Sequence, residues 1–123
     1  VLFAVPRAFT PTCSARHLPG FIEHLQQFEA AGFDRVACMA VNDVYVMDAW
    51  SKASGAGEIQ MLADGNAEFS RAMGLDADAS AFLMGVRSQR FALTADDGVV
   101  TALFVEEPGA FRVSSAENVL KSI

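Results

Sequence analysis

Short apolar runs alternate along this chain with stretches whose apolar residues recur every three or four positions. No other feature limits the fold as much. Val1-Leu2-Phe3-Ala4-Val5 contains no polar residue, the mark of a strand buried on both faces. From 13 to 31, Leu18, Phe21, Ile22, Leu25 and Phe28 fall at helical spacing, and Gly32 supplies the stop. Pro19 lies inside that pattern and is expected to kink the helix or break it after its first turn. Residues 35–41 read as a second buried strand. Asn42-Asp43 offers an N-cap for a helix over 43–53 carrying Val44, Met47 and Trp50. Gly55-Ala56-Gly57 is a turn, Ile59–Leu62 a short strand, and Asp64–Met73 a helix ended by Gly74. Residues 75–84 fit neither period: Asp76-Ala77-Asp78 suggests a loop, whereas Phe82-Leu83-Met84 is apolar. Two strands follow over 86–95 and 99–105, joined by the hairpin signal Asp96-Asp97-Gly98. Ser114 and Glu117 form a capping box for a last helix through Ile123.

Strand and helix alternation implies an α/β fold whose parallel strands are covered on both faces, with the hairpin adding antiparallel strands at one side. The order resembles a thioredoxin-like fold: a central mixed sheet flanked by helices, with a strand–helix insertion in the middle. At 123 residues with 52% hydrophobic content, one domain over 1–123 with a real core is expected. The chain opens at Val1, directly inside a strand, as a segment of a longer sequence would. No apolar run approaches the ~18–20 residues needed to span a bilayer, and no basic region followed by a cleavable apolar stretch opens the chain. A net charge of −6 and a pI near 4.7 argue against nucleic acid or an anionic membrane as partner. Two cysteines, Cys13 and Cys38, are too few for a disulfide scaffold, so a reducing, cytoplasmic setting is expected.

The loop between the first strand and first helix ends Thr10-Pro11-Thr12-Cys13. A cysteine in the first helical turn sits beside unpaired N–H groups and the positive end of the helix dipole, which favour thiolate. The helix end seldom contributes more than about 1 kcal/mol, while one pKa unit of a thiol corresponds to roughly 1.4 kcal/mol. A cation is therefore needed, and Arg7, Arg87 and Arg90 are the candidates, the last two on a strand that could run beside the first. Arg90 directly precedes Phe91-Ala92-Leu93, where an inward guanidinium would demand an anion; an outward one would be a plain surface residue. A dithiol oxidoreductase would carry a second cysteine where Thr10 stands, so a lone thiolate attacking an electrophile is the chemistry left.

The string Pro6-x-x-x-Thr10-x-x-Cys13 resembles the active-site motif of peroxiredoxins. Val5-Pro6-x-Ala8-Phe9-Thr10-Pro11-Thr12-Cys13-Ser14 with His17-Leu18-Pro19-Gly20 is similar to the type II, atypical ("type five") subfamily in particular. The likeness continues through Ala37-Cys38, Val41-Asn42-Asp43, Leu62-Ala63-Asp64, Asp97-Gly98 and Val105-Glu106, and so covers essentially the whole chain. It implies that Cys13 attacks the terminal oxygen of hydrogen peroxide or an alkyl hydroperoxide and becomes a sulfenic acid. Thr10 would hold thiolate and peroxide through its hydroxyl. Arg90 would stabilise the thiolate and the O–O transition state, and Pro6 would wall the pocket. Phe9, Pro11, Thr12 and His17 are assigned to the substrate pocket. No cofactor and no metal are implied, and relatives pair as homodimers near these loops.

Members with an internal resolving cysteine carry it near where Ser114-Ser115 stand here, and no cysteine follows Cys38. Cys38 lies among Val36, Ala37, Met39 and Ala40 and reads as an inert core thiol. No resolving cysteine is therefore assigned, and an outside thiol (glutathione, glutaredoxin or thioredoxin) would reduce Cys13. Arg7 stands where relatives commonly have glycine, and the family's N-terminal strands are absent before Val1. His17, four residues after Cys13, reads as local electrostatic or packing support, and His24 as a surface residue. Trp50, Phe82 and the methionines read as core or interface, the acidic residues as solvated surface. Two other functions compete: a redox sensor or interaction protein switched by sulfenylation of Cys13, and a thiol–disulfide transferase.

Overall fold

The structure is a computed structural model describing residues Val1–Ile123. Strand β1 (Leu2–Ala4) is followed by a π-helical turn (Cys13–His17) that runs into α1 (Leu18–Glu23) and α2 (Leu25–Ala30). Then come β2 (Ala37–Ala40), α3 (Val44–Ser54), β3 (Gln60–Ala63) and α4 (Glu68–Ala72). Strands β4 (Asp76–Asp78) and β5 (Val86–Ser88) flank a 3-10 turn (Ser80–Phe82), and β6 (Phe91–Asp96), β7 (Val99–Val105) and α5 (Ala116–Lys121) complete the chain.

The five-stranded sheet has the order β3-β2-β1-β6-β7. β1 pairs parallel with β2 and antiparallel with β6, setting Phe3 opposite both Cys38 and Ala92. With both edges paired, the apolar opening run is the centre of the sheet, and Phe3, Ala4 and Val5 have no exposed surface. On one face Phe3, Val5, Cys38 and Ala40 pack against Leu18, Phe21, Phe28, Met47, Trp50 and Val119 from four helices. On the other, Ala4, Met39, Phe91 and Leu93 meet Leu75 and Met73 from the end of α4. Phe21 stacks on Phe3 at 4.0 Å and on Phe28 at 5.4 Å. Burying each such ring contributes roughly 1.5–3 kcal/mol. This is the expected α/β, thioredoxin-like arrangement. No helix is long and apolar enough to cross a membrane.

Several local expectations are corrected. The irregularity expected at Pro19 takes the form of a change of helix type: the π-helical turn ends at His17 and α1 starts at Leu18 with Pro19 in its first positions. Proline has no N–H to donate and crowds the carbonyl four residues back. The helix widens over the turn before it, where the Leu18 N–H bonds to the Cys13 carbonyl five residues back; a further interruption, not expected, falls at His24. The segment 86–95 is not one strand: β5 leaves the main sheet and pairs antiparallel with β4, so the Asp76–Asp78 loop is itself a strand. The helix assigned to Asp64–Met73 is only Glu68–Ala72. Asp64 stays outside it, buried, accepting from the N–H groups of Phe69 and Ser70 and the Ser70 hydroxyl. Burial raises its pKa, but those bonds outweigh burial and hold it below the ordinary value. The last helix is capped by Ser115, whose Oγ accepts from Asn118 N–H, and not by Ser114. The hairpin turn stands as read, with Asp97 and Gly98 both at positive φ. Asp43 caps α3 by accepting from Val46 N–H.

Candidate active site

The site is built where the chain leaves the carboxyl end of β1. Pro6 to Thr10 turn away from the sheet, and Ala8 N–H donates to Asn42 Oδ1 at 2.8 Å, tying this loop to the corresponding end of β2. Phe9 takes φ 62°, a left-handed conformation costly for a residue with a Cβ. Its ring points outward, half exposed, 6.5 Å from Trp50. The helical path begins at Pro11, where a proline costs nothing because the first N–H has no intrahelical acceptor. The first helical bond runs from Ser14 N–H to the Thr10 carbonyl at 2.8 Å. Cys13 therefore lies in the first turn. Trp50 Nε1 donates to Ser14 Oγ at 3.0 Å, pinning that turn to α3.

Cys13 is fully buried and unpaired. Arg90 reaches it from the junction of β5 and β6: Nη2 donates to Cys13 Sγ at 3.2 Å, and Nη1 donates to His17 Nδ1 at 2.9 Å. The only ion pair in the structure joins Lys52 to Asp48, so no carboxylate neutralises this guanidinium. His17 is also fully buried, against Phe3, Phe21 and Phe111 with ring centroids 5.0, 5.7 and 5.0 Å away. Its Nε2 is 3.0 Å from the carbonyl of Ser114. A carbonyl can only accept, so Nε2 carries the proton and Nδ1 presents a lone pair to Arg90. Burial and then the Arg90 charge lower the His17 pKa to about 3, so the ring is neutral.

The Thr10 hydroxyl donates to the Arg7 carbonyl at 3.0 Å. With its proton committed there, Oγ1 faces other groups as an acceptor. It makes no hydrogen bond to Cys13. Pro6, Thr12 and Arg90 line a cavity of about 320 Å³ whose far side carries Phe82, Met84 and Pro108. Phe9, Pro11 and His17, assigned to a substrate pocket from sequence, do not line it. Phe9 is turned out by its positive φ, Pro11 is exposed at the helix start, and His17 is buried and bonded to Arg90.

Arg87 is not on a strand beside β1. It lies in β5 opposite Ala77, with Nε on the Met84 carbonyl and Nη1 on the Val41 carbonyl. Its charge is spent holding the small sheet against the end of β2, with Arg7 near enough to lower its pKa after burial does so first. Cys38 is buried in β2, and burial, then the neighbouring Cys13 sulfur, push its pKa well up. His24 is half-buried and bonded through Nδ1 to the Gly20 carbonyl, so it is not a free surface residue. Phe82 is largely exposed rather than core.

Glu106 stands in the likeness but is given no role by sequence reasoning. Read as solvated surface, it is buried, and its Oε2 accepts from Arg112 N–H at 2.7 Å, Ser114 N–H at 2.8 Å and Ser114 Oγ at 2.7 Å. Burial raises its pKa, yet these bonds outweigh burial and keep it below the usual glutamate value. The available signal was the Glu106-Glu107 pair directly after the apolar run of β7, the first of the two also standing in the Val105-Glu106 stretch of the likeness.

A family model described as Redoxin matches residues 1–120. The chain is 55% identical to a protein named Peroxiredoxin-2E-2, chloroplastic, of Oryza sativa subsp. japonica, over 100% of this chain and 56% of that one. It is 46% identical to Peroxiredoxin-2B of Arabidopsis thaliana, over 100% of this chain and 76% of that one. Among solved structures it superposes on reduced Prx3 from Vibrio vulnificus in complex with H2O2 with a TM-score of 0.96 and 53% identity, covering 99% of this chain and 79% of that one. The chain spans little more than half the length of the chloroplastic relatives it matches.

Proposed function

This chain belongs to the peroxiredoxins of the Redoxin family, in their type II branch, and from that premise we propose that it is a thiol-dependent peroxidase. The observation that carries the reading is the Arg90 guanidinium donating to a fully buried Cys13 Sγ with no carboxylate to neutralise it. A desolvated cation of that kind favours an anion at the sulfur, and the same donor stabilises negative charge as it moves onto peroxide oxygen.

The Cys13 thiolate attacks the terminal oxygen of ROOH, the S–O bond forms as the O–O bond breaks, and the sulfur is oxidised to Cys–SOH. The departing alkoxide, or hydroxide from hydrogen peroxide, takes up a proton and leaves as ROH or water. Thr10 Oγ1, its own proton given to the Arg7 carbonyl, accepts the hydroperoxide O–H and aims the terminal oxygen at Sγ. Pro6 lines the cavity that Arg90 also lines, and its role in this reading is to shield the reacting atoms from water.

Regeneration by an outside thiol fits the positions of the other candidates. Cys38 is a core residue in β2, and Ser114-Ser115 stand near where the likeness puts a resolving cysteine, the Ser114 hydroxyl bonded to Glu106. One external thiol displaces water from Cys–SOH to give a mixed disulfide, and a second reduces it, returning the Cys13 thiol and releasing a disulfide. Glutathione with glutaredoxin, or thioredoxin, in a reducing compartment supplies those electrons. Homodimer formation belongs to the same reading, with exposed Phe9 and Phe82 beside the site as contact residues.

The test is stopped-flow oxidation of Cys13 by hydrogen peroxide and by an alkyl hydroperoxide, followed by steady-state turnover with each reductant. A rate no faster than that of free cysteine rejects the proposal. Analytical ultracentrifugation tests the dimer.

A further inference from the structure

We propose that His17 and Glu106 are positioning residues for Arg90: the Glu106 carboxylate clamps residues 112–114, the Ser114 carbonyl fixes His17 through Nε2–H, and the His17 Nδ1 lone pair holds the guanidinium against Cys13. This rests on the peroxidase reading of the Cys13 site and assigns to two residues outside the motif the task of aiming its cation.

The need for such a device follows from what surrounds Arg90. An arginine side chain carries about 2 kcal/mol of rotamer entropy, and Arg90 lines a cavity that Glu106 and Glu107 also line. A guanidinium left to itself would turn to those carboxylates. Two contacts hold it toward Cys13 and away from Glu106. Glu106 Oε2 is occupied by three donors from the 112–114 loop. The neutral His17 offers one strong acceptor at a fixed point, since its ring is wedged among Phe3, Phe21 and Phe111. Phe111 belongs to the loop that Glu106 organises, and the Arg90 guanidinium carbon lies 5.9 Å from its ring centroid. The tautomer is set from the far side: without the Ser114 carbonyl, the proton could sit on Nδ1 and face the guanidinium donor against donor.

The experiment compares His17→Leu, which removes the acceptor, with His17→Asn, whose Oδ1 stands near the lost Nδ1. Each is made alone and in the Arg90→Ala background. Two readouts are taken: the stopped-flow rate with hydrogen peroxide, and the pH midpoint of Cys13 thiolate absorbance at 240 nm. Removing a donor directly from an oxyanion costs about 10²–10³, so loosening that donor should cost His17→Leu roughly tenfold in rate and move the thiolate midpoint upward. His17→Asn should restore most of the rate, and both effects should vanish once Arg90 is alanine.

A folded His17→Leu with unchanged rate and midpoint overturns the proposal. So does a loss of equal size on top of Arg90→Ala, since that would place the effect outside Arg90. Should His17→Leu fail to fold, Glu106→Gln is read the same way, with a loss of a few fold expected and no loss overturning the proposal. A wild-type protein slow with peroxide, whose midpoint still moves with His17→Leu, would refute the peroxidase reading and leave the positioning role standing.

Discussion

Arg90 Nη2 lies 3.2 Å from Cys13 Sγ across 77 residues of chain, and the same guanidinium touches His17 through Nη1. One planar fork thus bridges a sulfur and an imidazole held by the same helical turn. The π-turn Cys13–His17 carries both partners inward, and the chain rejoins the sheet at Phe91, paired with Ala4. Arg90 is delivered to that point by the register of β6 on β1.

Replacing Arg90 separates charge from geometry. Arg90→Ala is expected to slow oxidation of Cys13 by hydrogen peroxide about 10²–10³-fold, the cost of losing one fixed donor to developing negative charge. Arg90→Lys keeps the cation but cannot span His17 Nδ1 and Cys13 Sγ with one nitrogen, so its rate should fall between the two. Stopped-flow fluorescence of Trp50 beside the site follows the reaction. Equal rates for Lys and Arg would show that charge alone suffices.

Thr10 is bonded as a donor to the Arg7 carbonyl, so its value to the reaction is its lone pairs. Thr10→Ser keeps the hydroxyl and should stay within a few fold of wild type. Thr10→Val keeps the shape and removes the acceptor, an interaction of about 1.5–3 kcal/mol when the partner is charging, or roughly 10- to 100-fold in rate. The rate constant with an alkyl hydroperoxide decides it; a fully active Thr10→Val would remove the residue from the mechanism.

Cys38 is buried and its thiol is held protonated by burial. Cys38→Ala should leave turnover near wild type and cost about 1 kcal/mol of stability from the lost sulfur packing. Thiol counting after peroxide treatment provides the check. A folded Cys38→Ala that no longer turns over with reductant would make Cys38 a resolving thiol.

Stability should fall with acid in two stages. Burial first, and Arg90 second, lower the folded His17 pKa to about 3, against roughly 6.5 in an unfolded chain. The unfolded state therefore binds the proton first as pH drops. The His17 contribution is complete above about pH 6.5 and fades at up to about 1.4 kcal/mol per pH unit down to pH 3, on the order of 4–5 kcal/mol in all. Asp64 and Glu106 are depressed below their ordinary values. Their contributions are present above the usual carboxylate range and are lost as pH falls through their lower folded values. Urea unfolding at pH 7, 5.5 and 4.5 should show His17→Asn less pH-sensitive than wild type over that interval. Parallel curves would mean that His17 is not buried neutral.

Much of the site was legible along the chain because its first half is local. The turn from Val5 through Cys13 needs only a buried strand, a proline at the helix start and a cysteine in the first turn, all consecutive. The central strand was equally plain, since a strand with both edges paired and both faces covered must be apolar throughout. Less could be read where neighbours in space are distant in sequence. Residues 76–78 are too short and polar to announce a strand, and 86–88, read as the start of one long strand, leave the main sheet to pair with them. Ser114 satisfies a capping-box pattern, yet the cap is Ser115, because a buried carboxylate eight residues upstream takes the Ser114 hydroxyl.

Local patterning sufficed for the candidate cysteine, its helix-start setting and most of the order of strands and helices, because periodicity and capping act over one or two turns of chain. Spacing left open what the fold then settled: that Arg90 among the three arginines faces the sulfur, as the likeness implied, which way the imidazole carries its proton, and that a glutamate regarded as surface ties down the loop behind them. The first two outcomes depend on burial and hydrogen-bond direction among groups 73 to 97 residues apart, distances at which spacing along a chain carries no information; the third depends on a carboxylate being buried, which its local pattern does not announce.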